Sequence, residues 1–200
     1  MKAILISIQP KYVADILDGK KTLEIRKTMP KCDLPIDVYI YCTKGKLNLV
    51  YDQDYDDKNQ TWKKGKYELV DYGDKYSLNG KVVAKFTLNK VEEIIFGKTL
   101  YNDLGFFTCG LYDFDLYKQS CLTKKEMQNY LKVKPNGLSG YAWHINNLVL
   151  FDKPKELKEF YTTNLDKQLP ELFDNSIQLP NGTWVKPLTR APQSWQFIEV

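Results

Sequence analysis

The sequence predicts an α+β fold: a curved mixed β-sheet or pseudo-barrel with short helices at its periphery. Three observations lead there. Strand patterns outnumber helical ones and follow no βαβα alternation. The helical patterns are short. The chain opens strand, helix, glycine, strand, which ties its first helix to the sheet from the start.

That opening is legible residue by residue. Ala3–Ile8 is a short apolar run with β-branched residues, read as a buried strand. Pro10 suits a first helical position, because its missing N–H is not needed there. Val13, Ile16 and Leu17 then recur at i, i+3 and i+4, one face of a helix. Gly19 stands where a left-handed cap is wanted. In the strand that follows, Leu23 and Ile25 point one way and Glu24 and Arg26 the other. Pro30 breaks it.

Further along, Asp37–Thr43 alternates, with Val38, Ile40 and Cys42 on one face and Tyr39, Tyr41 and Thr43 on the other. Residues 44–80 are polar and aromatic and read as an insertion or long hairpin. Lys81–Leu88 is a strand that the pattern carries on to Ile95. Gly97–Tyr117 reads as irregular. Thr123-x-x-Glu126 is a capping box that opens a helix to about Leu131. Tyr141–Phe151 reads as one long strand, Pro154–Tyr161 as a short helix, residues 164–184 as a second insertion, and Ser194–Val200 as a closing strand. Residues 1–200 are expected to form a single domain with those two insertions.

Composition bounds the chemistry. The chain has 200 residues, 43% hydrophobic and 27% charged, ordinary globular values. No apolar run reaches membrane-spanning length. The N-terminal apolar run is too short for a signal segment, so a cytoplasmic chain without membrane contact is expected. Cys32, Cys42, Cys109 and Cys121 include no Cys-x-x-Cys pair, and His144 is the single histidine. Buried reduced thiols fit better than a zinc site. Asp52-x-Asp54-x-Asp56 fails as a calcium loop, with Asp57 where glycine is needed and Lys63 where a bidentate glutamate is needed. Gly97-Lys98-Thr99 fails as a P-loop because its first glycine would fall at Glu92. No metal or cofactor is expected.

The net charge of +4 is concentrated. Between Gly19 and Lys31 stand Lys20, Lys21, Arg26, Lys27 and Lys31 against Glu24 alone, an excess of four that accounts for the whole net charge. Such a patch suits a phosphate-bearing ligand. Its bland reading is a solvated cation at Lys21 and a half-exposed Glu24–Arg26 ion pair, contributing about 0–1 kcal/mol.

Gly19-x-Lys21-x-x-Glu24-x-Arg26, placed after a strand and a helix, resembles the signature of the ASCH domain in the PUA-like superfamily. Ser7–Tyr12, Tyr39–Thr43 and Gly80–Val83 followed by Phe86 look like other parts of that domain. Gly140–Ile145 and Arg190–Trp195 are similar to a longer subset often encoded by phages and Gram-positive bacteria. The resemblance spans nearly the whole chain, least so over 47–78 and 164–184.

The resemblance implies a PUA-like pseudo-barrel with a cleft beside the signature, binding RNA or a modified nucleoside or nucleotide. It brings Lys20, Lys21, Glu24, Arg26 and Lys27 into a ligand-facing role. Thr43 adds a hydroxyl, and Ser194 is expected to face the cleft. Trp143 is either a core aromatic or a base-stacking platform. His144 is either structural or catalytic. Some relatives hydrolyse N4-acetylcytidine with a lysine, a threonine and a glutamate, and some are described as ribonucleases. Lys21 matches the lysine, but Glu24 stands where the threonine belongs. A hydrolase would therefore rest on Lys21, Glu24 and His144. A third reading is a protein that binds a host partner through its two insertions.

Overall fold

A computed structural model describes residues 1–52, 55–56, 61–62, 65–71, 76–98, 103–133, 137–162, 176–180, 182 and 184–200. The fold is mixed α+β with strands predominating, and it divides into two compact units, each discontinuous in sequence. The first comprises Met1–Ala14, Asp37–Phe86 and Val149–Val200; the second comprises Asp15–Ile36 and Thr87–Leu148.

In the first unit β1 (Lys2–Ile8) lies inside a six-stranded sheet. It runs parallel to β3 (Ile36–Cys42) and antiparallel to β16 (Trp195–Glu199). Outside β3 come β8 (Val82–Leu88) and β12 (Asn146–Lys155); outside β16 comes β13 (Tyr161–Thr162). Ala3 to Ile8 are all buried, so the apolar run reflects cover on both faces. Ala3 and Leu5 join Tyr39, Tyr41, Val82, Phe160, Leu188 and Ile198 in one core. Tyr39 packs edge-on to Phe160 at 5.1 Å between centroids.

The first predicted insertion holds a hairpin of β4 (Asn48–Asp52) and β7 (Lys66–Val70). Between them β5 (Tyr55–Asp56) pairs with β6 (Thr61–Trp62). Asn79 clamps the hairpin base: its Nδ2 donates to the Leu47 carbonyl at 2.8 Å and its Oδ1 accepts from the Leu49 N–H at 2.9 Å. The expected acidic loop at Asp52–Lys63 lies largely outside the described residues. So does most of the second insertion, where β14 (Ile177–Gln178) pairs with β15 (Trp184–Val185).

The second unit holds a four-stranded antiparallel sheet in the order β10 (Leu104–Phe107), β9 (Val91–Lys98), β11 (Gly137–His144), β2 (Leu23–Arg26). Helices α2 (Asp113–Ser120) and α3 (Lys124–Leu131) supply Leu116, Met127 and Leu131 to a core with Leu23, Ile25, Ile94, Phe96, Phe106 and Ala142. Each such fully buried large side chain contributes about 1.5–3 kcal/mol. The unit boundary falls within α1 (Pro10–Leu17), which ends in Gly19 at φ +74°.

Several expectations are met and others corrected. Thr123 and Glu126 form both arms of the capping box. The pattern read from Lys81 to Ile95 is two strands, β8 and β9, in different sheets. The break falls at Asn89 and Lys90, where Asn89 accepts from Asn146 and the Lys90 carbonyl from the His144 N–H. The long strand over Tyr141–Phe151 likewise divides into β11 and β12, with Asn147 at φ +49°. Gly97–Tyr117 contains β10 and the start of α2, which carries a weak apolar stripe. The helix expected at Pro154–Tyr161 shrinks to a 3-10 turn at Leu157–Glu159, because β12 runs on to Lys155. Of the thiols, Cys42 is buried and burial pushes it up to about 12, but Cys109 is exposed.

Gly140 sets how closely β11 approaches β2. A Cβ there would stand 2.8 Å from the Arg26 carbonyl oxygen and 2.6 Å from Leu131 Cδ2. Gly140→Ala is expected to destabilise the protein by about 1–3 kcal/mol in chemical denaturation, because a backbone oxygen cannot swing aside as a side chain can.

Candidate functional site

The first half of the signature, residues 19–22, forms a strap that leads into β2, and β2 carries the second half. The N–H groups of Lys20 and Lys21 both donate to the Asp15 carbonyl at 2.9 Å, closing the turn at Gly19. The Thr22 N–H donates to the Gln119 carbonyl at the end of α2, and the Thr22 carbonyl accepts from the Ile145 N–H. Main chain therefore holds the strap on three sides, and its side chains leave from fixed points.

Strand register then sorts those side chains. Glu24 pairs with Trp143 and Arg26 with Tyr141, so these four share one face of the sheet. Leu23 and Ile25 occupy the other face, with Ala142 and the helices. Glu24 is the centre of an ion cluster: Oε1 meets Arg26 Nη2 at 2.8 Å and Oε2 meets Lys21 Nζ at 3.3 Å. Lys21 Nζ also donates to the Ser120 carbonyl at 2.7 Å. That carbonyl belongs to the last residue of α2, at the negative end of the helix dipole. Lys21 thus serves the helix end and the carboxylate together.

The cluster is buried, with Lys21 2%, Glu24 7% and Arg26 6% exposed. The bland reading of a half-exposed ion pair and a solvated lysine does not describe this cluster. Sequence reading also missed Tyr130, on α3. Arg26 hydrogen-bonds its phenol, and Lys27 Nζ lies 5.2 Å from its ring centroid. Burial raises the Tyr130 phenol, an effect larger than the lowering by the Arg26 guanidinium. Tyr130 is 36% exposed and Lys27 is exposed, so these two carry the cluster toward solvent. Lys20 is also exposed, paired with Asp18 at 2.9 Å.

His144 stands on the other face. It pairs with Leu23, and its Nε2 meets Glu92 Oε2 at 2.5 Å. Glu92 also takes Lys90 Nζ at 3.2 Å and accepts from Thr108 Oγ1 at 3.2 Å. Burial pushes the Glu92 carboxyl up, but the bonds from His144, Lys90 and Thr108 together outweigh it and hold it below its ordinary value. Thr108 Oγ1 in turn accepts the N–H groups of Gly110 and Leu111, which fixes the turn around the carboxylate. Glu92, Thr108 and Tyr130 had no sequence signal, since each joins its cluster from a distant part of the chain.

The site residues therefore fall into groups. Lys21, Glu24 and Arg26 come together, with Lys20 and Lys27 nearby in the chain. His144 belongs to a second group with Glu92. Trp143 is fully buried and presents no face for stacking. Thr43 and Ser194 lie in the first unit. Thr43 lines a pocket there, and the Ser194 carbonyl accepts from the Ser7 N–H. Among the described residues, no group of three or more His, Cys, Asp or Glu side chains is placed to hold a metal ion. No helix among them is long and apolar enough to cross a membrane.

Two stability predictions follow from this geometry. Glu24→Ala leaves two buried cations without their carboxylate and is expected to cost roughly 3–5 kcal/mol in denaturant unfolding. For Glu92 the folded carboxyl is depressed, so its contribution is present above the ordinary value of 4.5 and is lost as pH falls through the folded value. The stability deficit of Glu92→Gln is expected to be largest near neutral pH and to shrink in thermal melts below about pH 4.5.

No family model matches the sequence, and no curated protein matches it. Solved structures do. A serine-to-alanine variant of the ASCH protein from Zymomonas mobilis aligns with a TM-score of 0.50 at 13% identity, over 98% of this chain and 88% of that chain. A tyrosine-to-phenylalanine variant aligns at 0.49 and 14% identity, over 100% and 91%. The unsubstituted protein aligns at 0.44 and 15% identity, over 98% and 87%. At such identities the likeness concerns the fold, and the alignment at 0.50 carries it: this chain has the fold of the ASCH domain.

Proposed function

We propose that the protein binds RNA or a modified nucleotide at the Lys21–Glu24–Arg26 cluster. The observation that supports this is the concentration of cations, four of them between Lys20 and Lys27. Lys21 and Arg26 gather at the one carboxylate of Glu24. The exposed flank adds Lys20 and Lys27, with the Tyr130 ring beside Lys27. Arg26 offers a planar fork and Lys21 a point charge, complementary means of holding a phosphate or a base edge.

Fluorescence anisotropy with a labelled single-stranded RNA tests the reading. Affinity is expected to fall with salt, with a log–log slope of about −0.7 for each phosphate neutralised. Lys20→Ala with Lys27→Ala should flatten that slope by roughly 1.4 without unfolding the protein, because both side chains are exposed. Arg26→Lys keeps the charge but loses the fork, and is expected to weaken binding. RNA and nucleoside binding unchanged in all of these variants, and in Lys21→Ala with Arg26→Ala, would sink the reading.

The His144–Glu92 pair favours one second reading, a hydrolase acting on a modified nucleoside or on RNA. A buried carboxylate orients an imidazole and selects its tautomer, as proton transfer requires. Mass spectrometry after incubation with N4-acetylcytidine and with RNA decides. Turnover lost in both His144→Ala and Glu92→Gln supports it; no turnover above those controls removes it.

A further inference from the structure

One nitrogen of His144 is committed to Glu92, and the hydrogen bonds around that carboxylate decide the chemical state of the other. Thr108 Oγ1 accepts the N–H groups of Gly110 and Leu111 at 3.1 and 2.9 Å. Its own hydrogen is then left for Glu92 Oε1, 3.2 Å away. Lys90 Nζ brings an ammonium to Oε2 at 3.2 Å. Both oxygens therefore accept, which holds the carboxyl as its anion. Gly110 closes the turn over it: a Cβ there would stand 2.8 Å from Oε1.

His144 Nε2 lies 2.5 Å from the same Oε2. An ionised carboxylate only accepts, so Nε2 is the donor and carries the ring proton. A neutral imidazole has a single N–H, which leaves the lone pair on Nδ1. Among the described residues Nδ1 has no hydrogen-bond partner, and the side chain is 21% exposed. The residue is also held behind that nitrogen. The His144 N–H donates to the Lys90 carbonyl at 3.1 Å, and the His144 carbonyl accepts from Asn146 Nδ2 at 3.4 Å. Backbone and Nε2 are thus both fixed, and Nδ1 is the basic atom left to meet a substrate.

We infer that Nδ1 of His144 is the base of an acyl-hydrolysing site, with Glu92, Lys90 and Thr108 as its positioning residues. The inference rests on the hydrolase reading of this pair and carries it to the acting atom and the class of bond. In-line displacement at phosphorus wants a base on the attacking side and an acid on the leaving side. Acyl transfer needs one imidazole for both proton transfers, which a single open nitrogen supplies. Nδ1 takes a proton from a water whose oxygen bonds to the acyl carbon, and the carbonyl pair moves onto its oxygen. When that pair returns, the bond from carbon to the leaving oxygen breaks, and the leaving oxygen takes the proton from Nδ1. Ester and water become acid and alcohol, and His144 ends as it began.

Long-range proton–nitrogen NMR of the full chain reads the tautomer without any variant, because His144 is the single histidine. At about pH 9, where an imidazole is neutral, Nδ1 is expected to give the shift of a bare nitrogen and Nε2 that of a protonated one. Glu92→Gln is expected to mix the two forms, since an amide both donates and accepts. Hydrolysis of p-nitrophenyl acetate then tests the base. His144→Ala is expected to lower kcat/KM by roughly a hundredfold or more, and Glu92→Gln to lower it as well. Circular dichroism verifies that both variants fold, and His144→Gln serves if the alanine variant does not. A protonated Nδ1 in the parent overturns the inference. So does ester turnover that is equal in parent and His144 variants, or absent from the parent. Ester cleaved through His144 while N4-acetylcytidine and RNA stay intact supports Nδ1 as the base and removes those two substrates from the hydrolase reading. N4-acetylcytidine turnover that survives loss of His144 overturns the inference and leaves a hydrolase built elsewhere.

Discussion

A single carboxylate, Glu24, holds the second unit's edge strand, a helix end and two cations in one arrangement. Its two oxygens take Arg26 and Lys21, and Lys21 reaches on to the last carbonyl of α2. The ordering cost of these long side chains is met because the strap before β2 is fixed by main-chain bonds to α1, α2 and Ile145, the residue after β11. The apolar partners Leu23 and Ile25 drive the same strand into the core from its other face. Burial supplies the stability and the ion cluster supplies the register, since a slip of one residue would exchange the two faces.

The same alternation separates two chemistries. Trp143 and His144 are neighbours in sequence, but Trp143 faces Glu24 and His144 faces Glu92. A catalytic centre uniting Lys21, Glu24 and His144 is not what this strand builds. It builds a cation-rich cluster on one face and a hydrogen-bonded histidine–carboxylate pair on the other. The second is held by Thr108 and Lys90 and fixes the turn at Gly110.

Much of the fold was legible because local signals agreed with the tertiary context. The Pro10 start, the Gly19 stop, the two faces of β2 and the Thr123–Glu126 capping box are set by backbone chemistry within a few residues. The failures share one cause. At Asn89–Lys90 and at Ile145–Asn147 the apolar pattern is strand-like on both sides, and only the choice of partner strand divides it between sheets. Likewise α2 has little apolar periodicity of its own, and its place depends on packing Leu116 into a core made elsewhere.

For the site, the sequence by itself determined the cation excess between Gly19 and Lys31 and the common face of Glu24 and Arg26, because composition and period-two alternation are local. Only the tertiary structure decided that this cluster is buried and that Lys21 ends on α2. It also decided that Tyr130 joins Arg26, and that Glu92 claims His144. Those partners lie tens of residues away, and burial depends on what packs above a strand, which no local pattern encodes.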